Sequence, residues 1–484
     1  MATKSIKKNT VFSVLKTGSS ILFPLITFPY ISRTLLAENV GKVNFGLSIV
    51  SYFSMFASLG ISTYAIRECS AVKDNKERLS NISSQIFSIN IITTVLAYLA
   101  LFITILCWRK LDDYRFLITV QSLTILASTL GADWLNSAME DFKYITLRTV
   151  FFQAFSLVLM FVFVHQPDDY IKYAFISLLS SAGASIFNIW YRRRYCKVYF
   201  ILKIEWKRHM IPIFYLFVMV LAQTIFNSVD VTMLGSIHGD YEVGIYSTAH
   251  KIFNIINQVV GSVLWVIMPR MSFYFSEKNY FEVNKLLRKV FGFNLIFGFP
   301  CAVGCFTLAK DIILAVAGDS YFDAVPILRI LMIGLALSLI GGNFLGNAIL
   351  LPSKKERYYM IVCCITAFFN IIGNYIFIPD YGAKAAAWTT TASSFLILVL
   401  LLFKVDKQIH IDNVIKLIVS PVCGCVTIIL ICVLCRLITH MWLRLTLSIL
   451  FSSLAYACVQ VVFKNELVTS ILVLFQKKLV TKDE

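Results

Sequence analysis

The sequence predicts an all-α integral membrane protein of about fourteen transmembrane helices, in two six-helix lobes followed by two C-terminal helices. Composition, the length of the apolar runs and the placement of basic residues between them carry that expectation. Of 484 residues, 58% are hydrophobic and 15% charged, whereas a soluble domain carries about 25% charged residues. Mean hydropathy is +0.76.

Crossing a hydrocarbon core takes about 20 apolar residues. Runs of that kind begin near Thr10, Val43, Ile82, Arg115, Tyr144 and Tyr170, and each continues to the next polar cluster. Eight more begin near Ile211, Tyr241, Val290, Ala324, Arg357, Ala383, Asn413 and Met441. The first is preceded by basic residues but is too long, and lacks the small-residue cleavage site, for a removed signal peptide, so it reads as a retained helix.

Lys and Arg gather in alternate gaps. One set holds Lys4, Lys7 and Lys8, then Arg67 to Arg78, Lys143 with Arg148, Arg192 to Arg208 and Arg270 to Lys289. It continues through Lys354 to Arg357, then Lys404, Lys407 and Lys416, and the tail from Lys464. The opposite set, which includes Arg33, Lys42, Arg109, Lys172, Lys310 and Lys384, is roughly three times smaller. Because cytoplasmic loops retain positive charge during insertion, the richer set is expected inside, with both termini cytoplasmic. The net charge of +17 then reflects this asymmetry and attraction to anionic membrane lipids, and no nucleic-acid partner is implied.

The chain reads as written twice. Gly131 to Ala138 resembles Gly341 to Ala348, with Trp134 matched by Phe344. Val40 and Gly41 match Val243 and Gly244, and Pro167 and Asp168 match Pro379 and Asp380, in order and at nearly one spacing. Six helices per half is an even number, so the halves enter the membrane in the same direction, as parallel repeats. The expected division is an N-terminal six-helix lobe over 1–191, a basic cytoplasmic linker over 192–210, a second six-helix lobe over 211–403, and two additional helices with a cytoplasmic tail over 404–484. In transporters built this way the substrate path runs between the halves.

A charge near the middle of a spanning helix costs about 2.5 to 3.5 kcal/mol on insertion scales. Lys16, Asp133, Asp230, Lys251 and Arg329 stand out on that ground, with Arg33 and Arg67 nearer helix ends. Each has a structural reading beside a functional one. Asp230 and Lys251 flank one short turn at similar depth, so they can pair to lock two helices or serve ion coupling. Lys16, Arg33 and Arg329 can reach the headgroups. Asp133 can cap a helix or pair with Arg148 or Lys143. Collectively, basic groups from several helices facing one inter-lobe cavity would attract a phosphate-bearing substrate, and the planar fork of Arg suits phosphate oxygens. Pro24 and Pro29, inside the first span, favour a kink that either gates or improves packing.

Twelve cysteines suggest neither disulfides nor metal. Cys423, Cys425, Cys432 and Cys435 share one apolar run with the wrong spacing for zinc. No metal or cofactor is expected.

The run from Leu22 to Arg33, with Val40 to Phe45 and Ser58 to Glu68, resembles the start of bacterial O-unit flippases, polysaccharide biosynthesis proteins of the multidrug/oligosaccharidyl-lipid/polysaccharide exporter superfamily. Asp133 with Trp134, Asp230 to Gly235, and Val243 to Tyr246 with Lys251 extend the resemblance along the chain. It implies a fourteen-helix, two-lobed transporter. The implied activity is moving undecaprenyl-pyrophosphate-linked oligosaccharide units across the cytoplasmic (inner) membrane, for O-antigen, capsule or a related surface polysaccharide. Polysaccharide polymerase and chain-length machinery are its expected partners. A cationic central cavity is implied too, for which Lys16, Arg33, Arg67, Lys251 and Arg329 are the candidates here; Lys16 and Arg329 enter on intramembrane charge alone. Asp133, Asp230, Pro24 and Pro29 are candidates for coupling or gating.

Two alternatives stay in the same superfamily. A cation-coupled multidrug exporter would favour acidic intramembrane groups, whereas basic ones outnumber them here. A peptidoglycan-precursor flippase is nearer still. A membrane polysaccharide polymerase or ligase would need a large outer loop for its catalytic site, yet the longest outer gap runs only from about Ala309 to Ala324. The expectation is therefore a transporter rather than an enzyme.

Overall fold

The computed structural model describes residues 6–463 and 465, apart from 407 and 412. Lys4, Lys407, Lys464 and the C-terminal tail over 466–484 lie outside the described residues.

Among the described residues the fold is helical throughout, with no strand. The helices are α1 (Ile6–Ser58), α2 (Ile61–Ala71), α3 (Lys76–Cys107), α4 (Arg115–Gly131), α5 (Trp134–Ala138), α6 (Phe142–Phe163), α7 (Tyr170–Tyr191) and α8 (Trp206–Ile237). They continue as α9 (Asp240–Ser276), α10 (Tyr280–Phe293), α11 (Phe299–Thr307), α12 (Ala309–Val316), α13 (Ala324–Ser338), α14 (Glu356–Leu402), α15 (Val414–Cys435) and α16 (Met441–Val462). Wider π-helical turns join α10 to α11 and extend α13 to Leu350.

α3 shows why the membrane is the solvent. Its buried side includes Ser83, Ser84, Gln85, Ser88, Asn90 and Thr94, while Leu96, Leu99, Phe102 and Ile103 are exposed. A helix in water would turn these faces the other way. In lipid, small polar residues draw helices together and apolar ones face the chains.

Fourteen crossings were expected, whereas among the described residues ten helices are long and apolar enough to cross a membrane, or eleven if a bent pair counts as one span. Much of the difference lies in continuous backbone. At 53 residues, α1 runs about 80 Å, far beyond a hydrocarbon core of about 30 Å. It leaves helical geometry once, at Leu36 (φ 62°). α14 is 47 residues long and breaks at Gly382 (φ 54°), a backbone region that glycine occupies without Cβ strain. α4, at 17 residues, is shorter than a typical crossing. The bent pair is α9, which turns by 48° between Leu264 and Ile267; Pro269, inside it, removes a backbone donor near the bend.

The chain forms two compact units, Met1–Gly244 and Ile245–Glu484. In the first, α1 packs on α3, α4, α6 and α8, and α4 packs on α7. Its core joins Ile61, Tyr64, Leu79, Ile86, Trp134 and Leu135. In the second, α13 packs on α14, and α15 packs on both α11 and α16. Its core includes Met271, Leu287, Phe344, Leu345 and Val362.

An ion pair ties α16 to α12. Arg444 on α16 donates from Nε to Asp311 Oδ2 on α12 at 3.0 Å and from Nη2 to the other oxygen. Only 10% of the Asp311 side chain and 18% of Arg444 is exposed. Removing one partner of a buried pair leaves an uncompensated charge, so Asp311→Asn should cost about 3 kcal/mol. The readout is a lowered thermal midpoint in detergent that high salt leaves unchanged, because a buried pair is weakly screened.

Candidate functional site

The site forms where α4 ends. Gly131 closes α4, Ala132 adopts left-handed geometry (φ 48°), and α5 starts at Trp134. The carbonyls at a helix end lack intrahelical partners, and α7 supplies them. Asn188 Nδ2 donates to the Gly131 carbonyl at 2.7 Å, and Arg192 Nη1 to the Leu130 carbonyl at 2.8 Å. Asn136 Nδ2 donates to Asn188 Oδ1 at 2.6 Å. The turn that carries Asp133 is thereby pinned to α7.

Asp133 accepts from Ser185 Oγ at 3.0 Å on Oδ2. The same oxygen lies 3.1 Å from Arg148 Nη2. Pairing with Arg148, one of its expected structural roles, is thus what the geometry shows; its side chain makes no capping bond to α5.

Arg148 is the residue that sequence reading misplaced. It was assigned with Lys143 to a basic gap, but it lies on the second turn of α6 with 7% of its side chain exposed. Its guanidinium stands over the Tyr144 ring at 5.1 Å. Its Nε and Nη1 are buried with no hydrogen-bond partner among the described residues. The available signal was its position inside the apolar run opening at Tyr144, obscured by Lys143 one turn earlier.

The pair borders a polar cavity of about 320 Å³ within the first unit. α1 contributes Lys16, α6 Arg148 and Gln153, and α7 Ser180 and Ser181. A smaller cavity of about 100 Å³ touches Asp133 on another side, lined by Ser54, Asn90, Thr129 and Trp134 among others. Asp133 Oδ1 and Trp134 Nε1 are buried without partners among the described residues.

Of the sequence candidates, Lys16 and Asp133 share the larger cavity. Arg33 is exposed on α1, beyond its lining. Arg67 is exposed on α2, 3.3 Å from Glu68 and over the Tyr64 ring at 5.4 Å. Asp230 is buried on α8. In the second unit, Lys251 on α9 and Arg329 on α13 are half-buried, with Arg329 Nε lacking a partner among the described residues. Pro24 and Pro29 lie inside α1, where the non-helical residue is Leu36. Near them Thr27 and Ser32 hydroxyls donate to the carbonyls of Phe23 and Phe28.

Chemically the larger cavity brings together a guanidinium, a lysine, and amide and hydroxyl groups. A fork of N–H donors away from water suits anionic oxygens, and the hydroxyls and amide can donate to and accept from neutral polar groups.

A family model described as polysaccharide biosynthesis protein matches residues 6–275. The chain belongs to that family. A second model, described as lipid II flippase MurJ, matches residues 207–456. Proteins similar to this chain include a putative O-antigen transporter from Escherichia coli, 24% identical over 55% of this chain and 65% of its own length. The capsular polysaccharide biosynthesis protein CapF of Staphylococcus aureus is 24% identical over 81% of this chain and 97% of its own. Among solved structures, lipid II flippase MurJ in an inward closed conformation superposes with a TM-score of 0.65 at 16% identity, over 95% of this chain and all of that one. A multidrug resistance MATE family transporter in an inward-facing conformation superposes with a TM-score of 0.58 at 14% identity, over 79% of this chain and 93% of that one, so the chain shares its all-helical fold with both structures.

Proposed function

We propose that this protein flips undecaprenyl-pyrophosphate-linked oligosaccharide units across the bacterial cytoplasmic membrane, for O-antigen, capsule or a related surface polysaccharide. The observation that carries the reading is that Arg148 and Lys16 line one cavity, with the Nε and Nη1 nitrogens of Arg148 lacking a partner among the described residues. A pyrophosphate would be held by the positive charges of Arg148 and Lys16, while Gln153, Ser180 and Ser181 offer partners to sugar hydroxyls. The lipid tail would remain in the bilayer. The names of the relatives support the substrate class: one is a putative O-antigen transporter and another belongs to capsular polysaccharide biosynthesis.

In this reading each kinked helix, α1 and α14, crosses twice, both termini face the cytoplasm, and two six-helix halves rock around a cationic cavity between them. Arg33, Arg67, Lys251 and Arg329 would extend that lining, and Asp133 and Asp230 would couple or gate the motion. Polymerase and chain-length proteins would act on the delivered units.

The test is deletion of the gene. Surface polysaccharide is expected to be lost, with lipid-linked units stranded on the inner leaflet and drug tolerance unchanged. Drug sensitivity with normal surface polysaccharide would instead identify a multidrug exporter, and loss of peptidoglycan precursor export a peptidoglycan flippase.

A further inference from the structure

The segment between α7 and α8 is the most basic gap in the chain, and its inner side is fully committed. Tyr195 and Cys196 enter the core of the first unit, and Val198 and Ile204 pack against it. The intervening backbone runs along α3 as a strap. The N–H groups of Tyr199 and Ile201 donate to Ser84 Oγ at 3.3 Å and Ser88 Oγ at 2.8 Å. The Glu205 N–H donates to Gln85 Oε1 at 2.9 Å, and Ser80 Oγ donates to the Lys197 carbonyl. The buried hydroxyls of α3 thus hold the strap in one conformation.

The outer side has a different composition. Tyr199 is 56% exposed, Phe200 47%, Leu202 85% and Trp206 44%. Lys197, Lys203 and Lys207 are exposed among them. The single acid in the stretch, Glu205, is already paired with Arg208 at 3.3 Å. Three aromatics and a leucine with interspersed lysines combine apolar tips with cationic tips on one clamped surface. The strap joins two helices that are each long and apolar enough to cross a membrane, which places it at a bilayer boundary.

We propose that the Lys197–Lys207 strap docks on the anionic headgroup layer of the membrane, binding acidic phospholipids such as phosphatidylglycerol. Aromatic side chains favour the interface because one end is apolar and the other polar. Leu202 would enter the acyl boundary instead of standing in water. Each lysine adds Coulomb attraction to acidic lipid that a zwitterionic surface does not offer. Because α3 already orders the strap, binding costs little further conformational entropy. The result is an anchor that holds the first unit to one leaflet, separate from the cavity beside Arg148.

The experiment uses the full-length protein in nanodiscs carrying photoactivatable phosphatidylglycerol or phosphatidylcholine, with adducts mapped by peptide mass spectrometry. Adducts on the strap are expected with the acidic probe, several-fold fewer with the neutral one, and fewer again at high salt. A triple variant Lys197→Gln, Lys203→Gln, Lys207→Gln should lose acidic-probe adducts about tenfold or more. Leu202→Ser should lower adducts from both probes. Equal labelling by the two probes with no response to salt, or no strap adducts in either nanodisc, overturns the proposal. The salt titration of the unsubstituted protein decides the matter even where the triple variant folds poorly.

Discussion

Substituting Asp133 and Arg148 should separate folding from transport. Asp133→Asn removes the carboxylate facing a guanidinium of which 7% is exposed, while 42% of the Asp133 side chain is exposed. A buried charge without its counter-ion costs about 3–5 kcal/mol; partial solvation of the carboxylate lowers the expected loss to about 1–3 kcal/mol. Arg148→Gln has the opposite profile. The remaining carboxylate keeps Ser185 on a side chain that is 42% exposed, so stability falls less. The guanidinium proposed to meet the anion, however, is gone. A charge-assisted hydrogen bond contributes about 1.5–3 kcal/mol, so transport should fall roughly 10- to 150-fold. The double variant contains no uncompensated charge. Its thermal midpoint should recover above that of Asp133→Asn, with a coupling of about 1 kcal/mol or more, while transport stays as low as in Arg148→Gln. Complementation of the deletion strain and detergent melting read the two quantities independently. Full complementation by Arg148→Gln would remove Arg148 from the transport path.

The same pair shows how far side-chain pattern reaches. Lys16 and Asp133 were legible because a charge inside an apolar run is expensive and so conspicuous. Arg148 was hidden by proximity: a basic residue one turn from a predicted boundary looks like a loop residue when boundaries are uncertain by about 2–4 residues. Helix starts were readable where a run begins abruptly. Those expected near Arg115, Tyr170, Ala324 and Met441 are the first residues of α4, α7, α13 and α16. The start expected at Ala383 directly follows the break at Gly382. By contrast, the second crossing was placed at Val43, whereas α1 breaks at Leu36. Leu36 lies within the polar gap from Arg33 to Lys42, so the break was bracketed and only the start of the second crossing was placed late. Val290 was placed inside a helix that begins at Tyr280, because that helix opens with an amphipathic stretch containing Lys285, Arg288 and Lys289, which reads as loop when only apolar length is counted. That Asp133, Arg148 and Lys16 share one cavity depends on α1, α5, α6 and α7 meeting in space, which no local pattern encodes.

Gly41→Ala should be among the most damaging single-methyl additions in the chain. Gly41 lies on α1 beyond the Leu36 break, and a Cβ there would sit 1.8 Å from the Asp240 carbonyl oxygen. The contact is reciprocal, since a Cβ on Gly244 would sit 1.9 Å from the Ala37 carbonyl oxygen. Both obstacles are backbone, so no side chain can rotate away. Asp240 is also held from its other side, where Tyr114 Oη donates to Oδ1 at 2.6 Å, and the Tyr114 ring meets Phe45 edge-on at 5.0 Å. Relieving the clash therefore means separating α1 from the start of α9 and disturbing a hydrogen bond and an aromatic contact together. Overpacking of a well-packed site costs about 1–3 kcal/mol, and more where the backbone itself must move, so the expected loss is about 3 kcal/mol or more. Gly18 on the same helix is the control: nothing lies within 4 Å of its would-be Cβ. Gly18→Ala should be neutral or stabilising by up to about 1 kcal/mol through helix propensity. Thermal melts of both variants in one detergent compare the two directly. A Gly41→Ala midpoint equal to that of Gly18→Ala would mean that α1 and α9 do not approach at these glycines.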